Sequence, residues 1–118
     1  MEERRRFPRL GFNVEVECKI INGVESEPGH LQTKNIGAGG ICLVSLDEFK
    51  VGNNLELIFS LPGITNQIHA VGRVVWLVPF NVGSTLTSRA YDAGIEFVNI
   101  SDDDREKINQ FVLQKLPV

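Results

Sequence analysis

Between residues 12 and 21 the chain alternates. Phe12, Val14, Val16, Cys18 and Ile20 occupy one face, and Asn13, Glu15, Glu17 and Lys19 the other. A period of two over this length predicts a half-buried β-strand. The Asn-Gly and Pro-Gly pairs at 22–23 and 28–29 are turn signals, so residues 31–36 are expected to return as a second strand and close a hairpin. A glycine cluster, Gly37, Gly39 and Gly40, separates that strand from a third at 41–46. A fourth is expected at 55–61 and, after the tight turn PGITN, a long fifth at about 67–77. Both faces of the fifth strand are apolar, which predicts a central or covered position. Residues 78–90 read as a long polar loop or hairpin tip, and residues 91–100 as the sixth strand.

Helical periodicity enters only near the C-terminus. Ser101 is placed to cap, Asp102, Asp103 and Asp104 fall in the first turn where the helix dipole favours acids, and Ile108, Phe111, Val112 and Leu116 form one apolar stripe. Lys107 and Lys115 are expected on the wet side, and Pro117 ends the helix. The predicted fold is mainly β. It is a six-stranded antiparallel β-barrel with a C-terminal α-helix at about 101–116, because closing a sheet of short strands removes its exposed edges.

At 118 residues, 42% hydrophobic and 23% charged, the chain has the size and composition of a single domain. Its formal charge of −3 gives no general basic field for nucleic acid or anionic lipid. That charge is unevenly spread. Arg4, Arg5, Arg6 and Arg9 are clustered, whereas residues 11–118 carry eight Lys and Arg against thirteen Asp and Glu. Residues 1–11 are therefore expected to be a flexible arginine arm on an acidic body at 12–118. No apolar run is long enough to span a bilayer, and the first residues lack a secretory h-region, so a cytoplasmic protein with no membrane insertion is expected.

Cys18 and Cys42 sit in apolar or alternating runs and are expected to be buried, reduced thiols. His30 and His69 stand apart from them and from each other, and no metal is expected. Neither histidine lies in a nucleophile motif, and no phosphate-cradling GxxxxGK[ST] loop occurs. The chain is expected not to be an enzyme.

Two segments remain for binding chemistry. In 4-RRRFPR-9, Phe7 and Pro8 can anchor arginines whose planar forks suit phosphates and guanine edges. In 35-NIGAGGI-41, glycines supply a turn and allow a ligand to approach the backbone, while Asn35 offers a donor and an acceptor to a purine edge.

Together these segments resemble the PilZ domain, whose signature is RxxxR, often RRxxxR, followed some thirty residues later by [D/N]xSxxG. Arg4, Arg5 and Arg9 match the first part. Asn35 and Gly40 match the second, and Gly37 stands where the family has serine. GGICL after the loop, GRVVW at 72–76 and YDAGIEF at 91–97 extend the resemblance over nearly the whole chain.

The resemblance implies a receptor for the bacterial second messenger cyclic di-GMP, with no other cofactor. Arg5 and Arg9 would be the clamp, and Arg4 the extra arginine that favours a stacked pair of ligand molecules. Asn35 would face guanine, with Gly37 and Gly40 shaping the loop. Arg6 and Trp76 are further candidates; a lone Trp in an apolar strand has a core role as its alternative. The missing serine hydroxyl is expected to cost about 0.5–1.5 kcal/mol, roughly two- to ten-fold in affinity, and so to weaken binding rather than abolish it.

The expected mechanism is that a dianionic ligand relieves repulsion among the arginines and orders the arm, creating a surface for a downstream effector protein in motility, biofilm or virulence control. Two alternatives stay open: a PilZ-like adaptor that no longer binds nucleotide, and an unrelated barrel binding single-stranded nucleic acid through the arm. The acidic body and the scarcity of Trp and Tyr weigh against the second.

Overall fold

In the computed structural model the described residues are 7–22, 27–46, 49–82 and 89–116. The strands are β1 (Arg9–Leu10), β2 (Glu15–Ile21), β3 (Gly29–Gly37), β4 (Gly40–Ser45), β5 (Asn54–Phe59), β6 (Ile68–Asn81) and β7 (Arg89–Ile100), followed by helix α1 (Asp102–Lys115). All pairings are antiparallel, and the order β3-β2-β5-β6-β7-β4 closes through β3–β4 into a six-stranded barrel.

The additional strand corrects one expectation. Arg9 and Leu10, assigned from sequence to the flexible arm, pair with Gly37 and Ile36 on the edge of β3 that β2 uses further along. Thr33 joins the two: its Oγ1 donates to the Phe12 carbonyl at 2.8 Å and accepts from Val14 N–H at 2.9 Å. These bonds satisfy a buried hydroxyl and carry the pairing across the interruption between β1 and β2. Met1 to Arg6 lie outside the described residues, and with them Arg4, Arg5 and Arg6.

Alternation places Val16, Ile36, Ile41, Leu43, Leu55, Leu57, Ile68, Val74 and Ile95 inside the barrel, all essentially inaccessible. Helix α1 closes one end with Ile108, Phe111 and Val112, and Phe12 meets Phe111 edge-on at 5.2 Å. The expected cap is present, with Ser101 Oγ accepting from Asp104 N–H at 3.1 Å. Lys107 is drawn to Asp103 and Asp104 at 3.2 and 3.7 Å. No helix among the described residues is long and apolar enough to cross a membrane.

One other boundary changes. The hairpin formed by β6 and β7 runs further than the turn signals indicated, to the pair Asn81↔Arg89. As its two apolar faces suggested, β6 is central, between β5 and β7, and on its outer face Val75, Trp76, Val78 and Phe80 remain 39–52% exposed. The β5 pairing ends at Arg73 and the ladder to β7 shifts register at Val75. This end of β6 therefore projects past its neighbour on one side.

Neither cysteine is in a disulfide, and both are buried. Burial pushes the Cys18 thiol up to about 12 from its usual 9.0. Between these values the unfolded chain releases the thiol proton and the folded chain keeps it. Stability is therefore expected to fall as pH rises from about 9 towards 12, and Cys18 should resist alkylation at pH 8 until urea unfolds the domain. Mass analysis of alkylated protein with and without urea checks this. Equal labelling in both would mean that the thiol is not enclosed.

Candidate ligand site

Strand register gathers residues that are distant in sequence into rows on the outer face of the barrel. In the first row, Arg9 is paired with Gly37, Gly37 with Gly40, Gly40 with Glu96 and Glu96 with Arg73. In the next, Asn35 is paired with Cys42, Cys42 with Gly94 and Gly94 with Trp76. The third row is Gln32, Val44, Asp92 and Val78. Directly opposed residues share a face. That face is the outer one, because Ile36, Ile41, Ile95 and Val74, which separate the first two rows, belong to the core.

The middle of this face is a floor with little side chain: Gly37, Gly40, Cys42 and Gly94. Two large side chains lie across its edges. A Cβ on Gly94 would run into the Trp76 indole, so the ring lies against the backbone there and stays 43% exposed. Trp76 is thus outside the core. On the opposite edge a Cβ on Gly37 would come within 2.9 Å of Arg9 Cδ and 2.7 Å of the Pro8 carbonyl, and one on Gly40 within 3.1 Å of Arg9 Nη2. The Arg9 side chain therefore spans both glycines. Its Nη1 donates to Asn35 Oδ1 at 2.8 Å, joining the arginine segment to the glycine-rich loop.

Phe7 holds the inner end of the arm in place. It is half-buried against the core, its ring touches the Gly39 position at 3.3 Å from a hypothetical Cβ, and the Arg105 guanidinium of α1 lies 5.4 Å from its centroid. The site margins are charged. Lys34 Nζ donates to Asp92 Oδ2 at 2.9 Å, and Arg73 stands 4.0 Å from Glu96. The hydrogen bond to Asp92, reinforced by its negative charge, raises the Lys34 pKa.

A flat backbone floor, an indole wall and an oriented guanidinium suit a planar aromatic ligand carrying anionic groups. A groove of about 550 Å³ elsewhere on the barrel does not. It lies on the β2–β5 side and is lined by Glu15, Glu17 and His30, carboxylates that repel an anion. Among the described residues no group of three or more His, Cys, Asp or Glu is arranged to hold a metal ion.

The structure therefore brings Arg9, Asn35, Gly37, Gly40 and Trp76 together on one face. Cys42, Gly94, Lys34, Asp92 and Arg73 join them and were not singled out from the sequence. The signal for Gly94 was a small residue within an otherwise alternating strand; the others became visible only through pairing. Gly37→Ser is expected to push Arg9 off the turn, because the new side chain must displace Pro8 or Arg9 atoms. Loss of the slowed exchange of the Arg9 guanidinium protons in NMR spectra, with a melting temperature lower by a few degrees, is the expected result. An unchanged Arg9 signal would show that serine is accommodated without moving it.

A family model, described as PilZ domain, matches residues 3–114 of the chain. No curated protein matches the sequence. Among solved structures, the Bacillus subtilis inhibitor of motility MotI/DgrA is 24% identical with a TM-score of 0.77, over 97% of this chain and 52% of that one. The complex of K. pneumonia MrkH with c-di-GMP is 19% identical with a TM-score of 0.72, over 96% and 52%. The PilZ domain of YcgR from Escherichia coli with c-di-GMP is 11% identical with a TM-score of 0.69, over 95% and 91%. At these identities the likeness is one of fold. This chain spans about half the length of the MotI and MrkH chains.

Proposed function

The chain belongs to the PilZ domain family, and on that premise we propose that it is a receptor for cyclic di-GMP that signals to a partner protein and does no catalysis. The observation that carries this reading is Arg9 spanning Gly37 and Gly40 with its fork on Asn35. The last arginine of the RRxxxR segment and the NxGxxG loop thus form one structure. Two of the related structures are described as complexes with c-di-GMP, which supports the ligand class.

In this reading the ligand lies on the floor between Arg9 and Trp76. The Arg9 guanidinium turns from Asn35 to a phosphate, which is a stronger acceptor than an amide oxygen. Asn35 is released to a guanine edge, and Trp76 offers its exposed face to a base. Arg4 and Arg5 precede the Phe7 anchor by two or three residues, short enough for their side chains to close over the phosphates. Phe7 touches α1 through Arg105, so closure of the arm is felt at the helix. The resulting surface of arm, ligand and helix is the output read by an effector in motility or biofilm control. In this reading the action takes place in the cytoplasm.

Isothermal titration of cyclic di-GMP into the protein, with GTP and a short single-stranded oligonucleotide as controls, tests the proposal. Micromolar or tighter binding confined to the cyclic dinucleotide, at one or two molecules per chain, is expected. The absence of heat and of any shift in melting temperature would favour the alternative that Gly37 raises, an adaptor that has given up nucleotide.

A further inference from the structure

Asp92 lies on the outer face of β7, two residues from Gly94 and so about 7 Å further along the strand. It is the diagonal neighbour of Trp76 and Cys42 in the pairing, a separation that long and aromatic side chains bridge. One carboxylate oxygen, Oδ2, accepts from Lys34 at 2.9 Å. The other, Oδ1, is buried and has no hydrogen-bond partner among the described residues. A buried carboxylate oxygen without a donor is costly, and this one stands at the end wall of the candidate floor. The Lys34 side chain that screens the carboxylate is 60% exposed, so it can swing away at little cost.

The sequence supplies the reason such an acceptor is needed. The loop presents Asn35 and Gly37, an amide and no side chain, and neither is a negatively charged acceptor. Guanine offers two adjacent donors, N1–H and N2–H, on its Watson–Crick edge. A carboxylate accepts both at once. Adenine places a lone pair at N1 beside its single amino group, and a carboxylate repels that lone pair.

We infer that Asp92 is a second guanine-reading residue of this site, beside Asn35, and that Lys34 is its exchangeable cover, which moves from Asp92 to a ligand phosphate when the base arrives. The inference rests on the receptor reading and deepens it. It adds an anionic acceptor on β7 to the amide that the glycine-rich loop presents.

The test compares cyclic di-GMP with cyclic di-AMP by calorimetry on the wild type, Asp92→Asn and Lys34→Met. Melting curves confirm that each variant is folded. Asp92→Asn replaces two acceptors by one donor and one acceptor, the pattern that complements adenine. It is expected to lose about ten- to a hundred-fold in affinity for the guanine ligand and to retain or gain affinity for the adenine ligand. Lys34→Met is expected to keep the wild-type preference while losing affinity for both dinucleotides alike, because the phosphate contact it gives up is common to them.

An unchanged guanine-to-adenine ratio in Asp92→Asn overturns the inference while leaving the receptor reading standing. So does an equal loss of both ligands, or a Lys34→Met variant that loses as much preference as Asp92→Asn. A wild type that binds neither dinucleotide overturns the receptor reading and the inference with it.

Discussion

Arg9→Glu is expected to lower the affinity for cyclic di-GMP by at least about a hundred-fold while leaving the barrel folded. Charged hydrogen bonds are worth about 1.5–3 kcal/mol each, and a guanidinium gripping phosphate makes two. Their loss corresponds to roughly two to four decades of affinity, before the repulsion of a carboxylate facing an anion is added. Stability should change far less. Arg9 is half-buried in a two-residue strand at one end of the sheet, and the acceptor of its bond to Asn35 is a neutral amide oxygen. Losing such a bond costs about 1 kcal/mol. Titration calorimetry beside a thermal melt separates the two effects. Wild-type affinity in a folded Arg9→Glu protein would remove Arg9 from the site and the clamp from the mechanism.

The largest structural effect is expected at Gly40. A methyl group there would collide with the backbone carbonyl oxygen of Ile95 on β7 and would also come within 3.1 Å of Arg9 Nη2. The first obstacle is main chain held in the β4–β7 ladder, so it cannot rotate aside as a side chain would. Gly40→Ala is therefore expected to destabilise the domain by about 1–3 kcal/mol. In a domain of this size that lowers the melting temperature by about 4–12 °C. Ligand affinity should fall as well, because the strands must part where Arg9 rests. Gly11→Ala is the matched control, since nothing lies within 4 Å of its Cβ position. Similar melting temperatures for the two variants would mean that β4 and β7 are less closely apposed at this point.

The contrast between these glycines shows how far a sequence can be read. In 37-GAGG-40 each glycine has the same possible meanings: a turn, a close approach, or a place for a ligand. None of the three has the positive φ that glycine alone tolerates easily. Their role is close approach, to Pro8 and Arg9 at Gly37, to Phe7 at Gly39 and to Ile95 at Gly40. That role depends on residues up to 55 positions away, which no local pattern specifies. Among the described residues the positive-φ glycines are Gly52 and Gly63, both in turns between predicted strands.

Trp76 makes the same point from the opposite direction. A tryptophan in an apolar run, GRVVWLV, satisfies a core pattern as well as a surface one. The register shift between Val74 and Trp76 turns the indole outward onto Gly94. A shift of one residue exchanges the two faces of a strand, and the sequence carries no mark of it.

What the sequence determined by itself is local. The period of two over residues 12–21, the Pro and Gly turn signals, and the Ser101 cap with its acidic first turn follow from backbone sterics, hydrogen bonding and the helix dipole over a few residues. These were sufficient for six strands, one helix and a mainly β barrel. Two binding segments were also legible, because arginine forks and clustered glycines have chemistry that survives without a structure. The tertiary structure decided which residues face each other. Pairing of β1 with β3 set Arg9 over Gly37 and drew part of the expected arm into the sheet. Pairing across β3, β4, β7 and β6 set Asn35, Cys42, Gly94 and Trp76 in one row and brought Asp92 beside them. Register between strands distant in sequence is fixed by the joint packing of a closed core, a property of the whole barrel and of no segment within it.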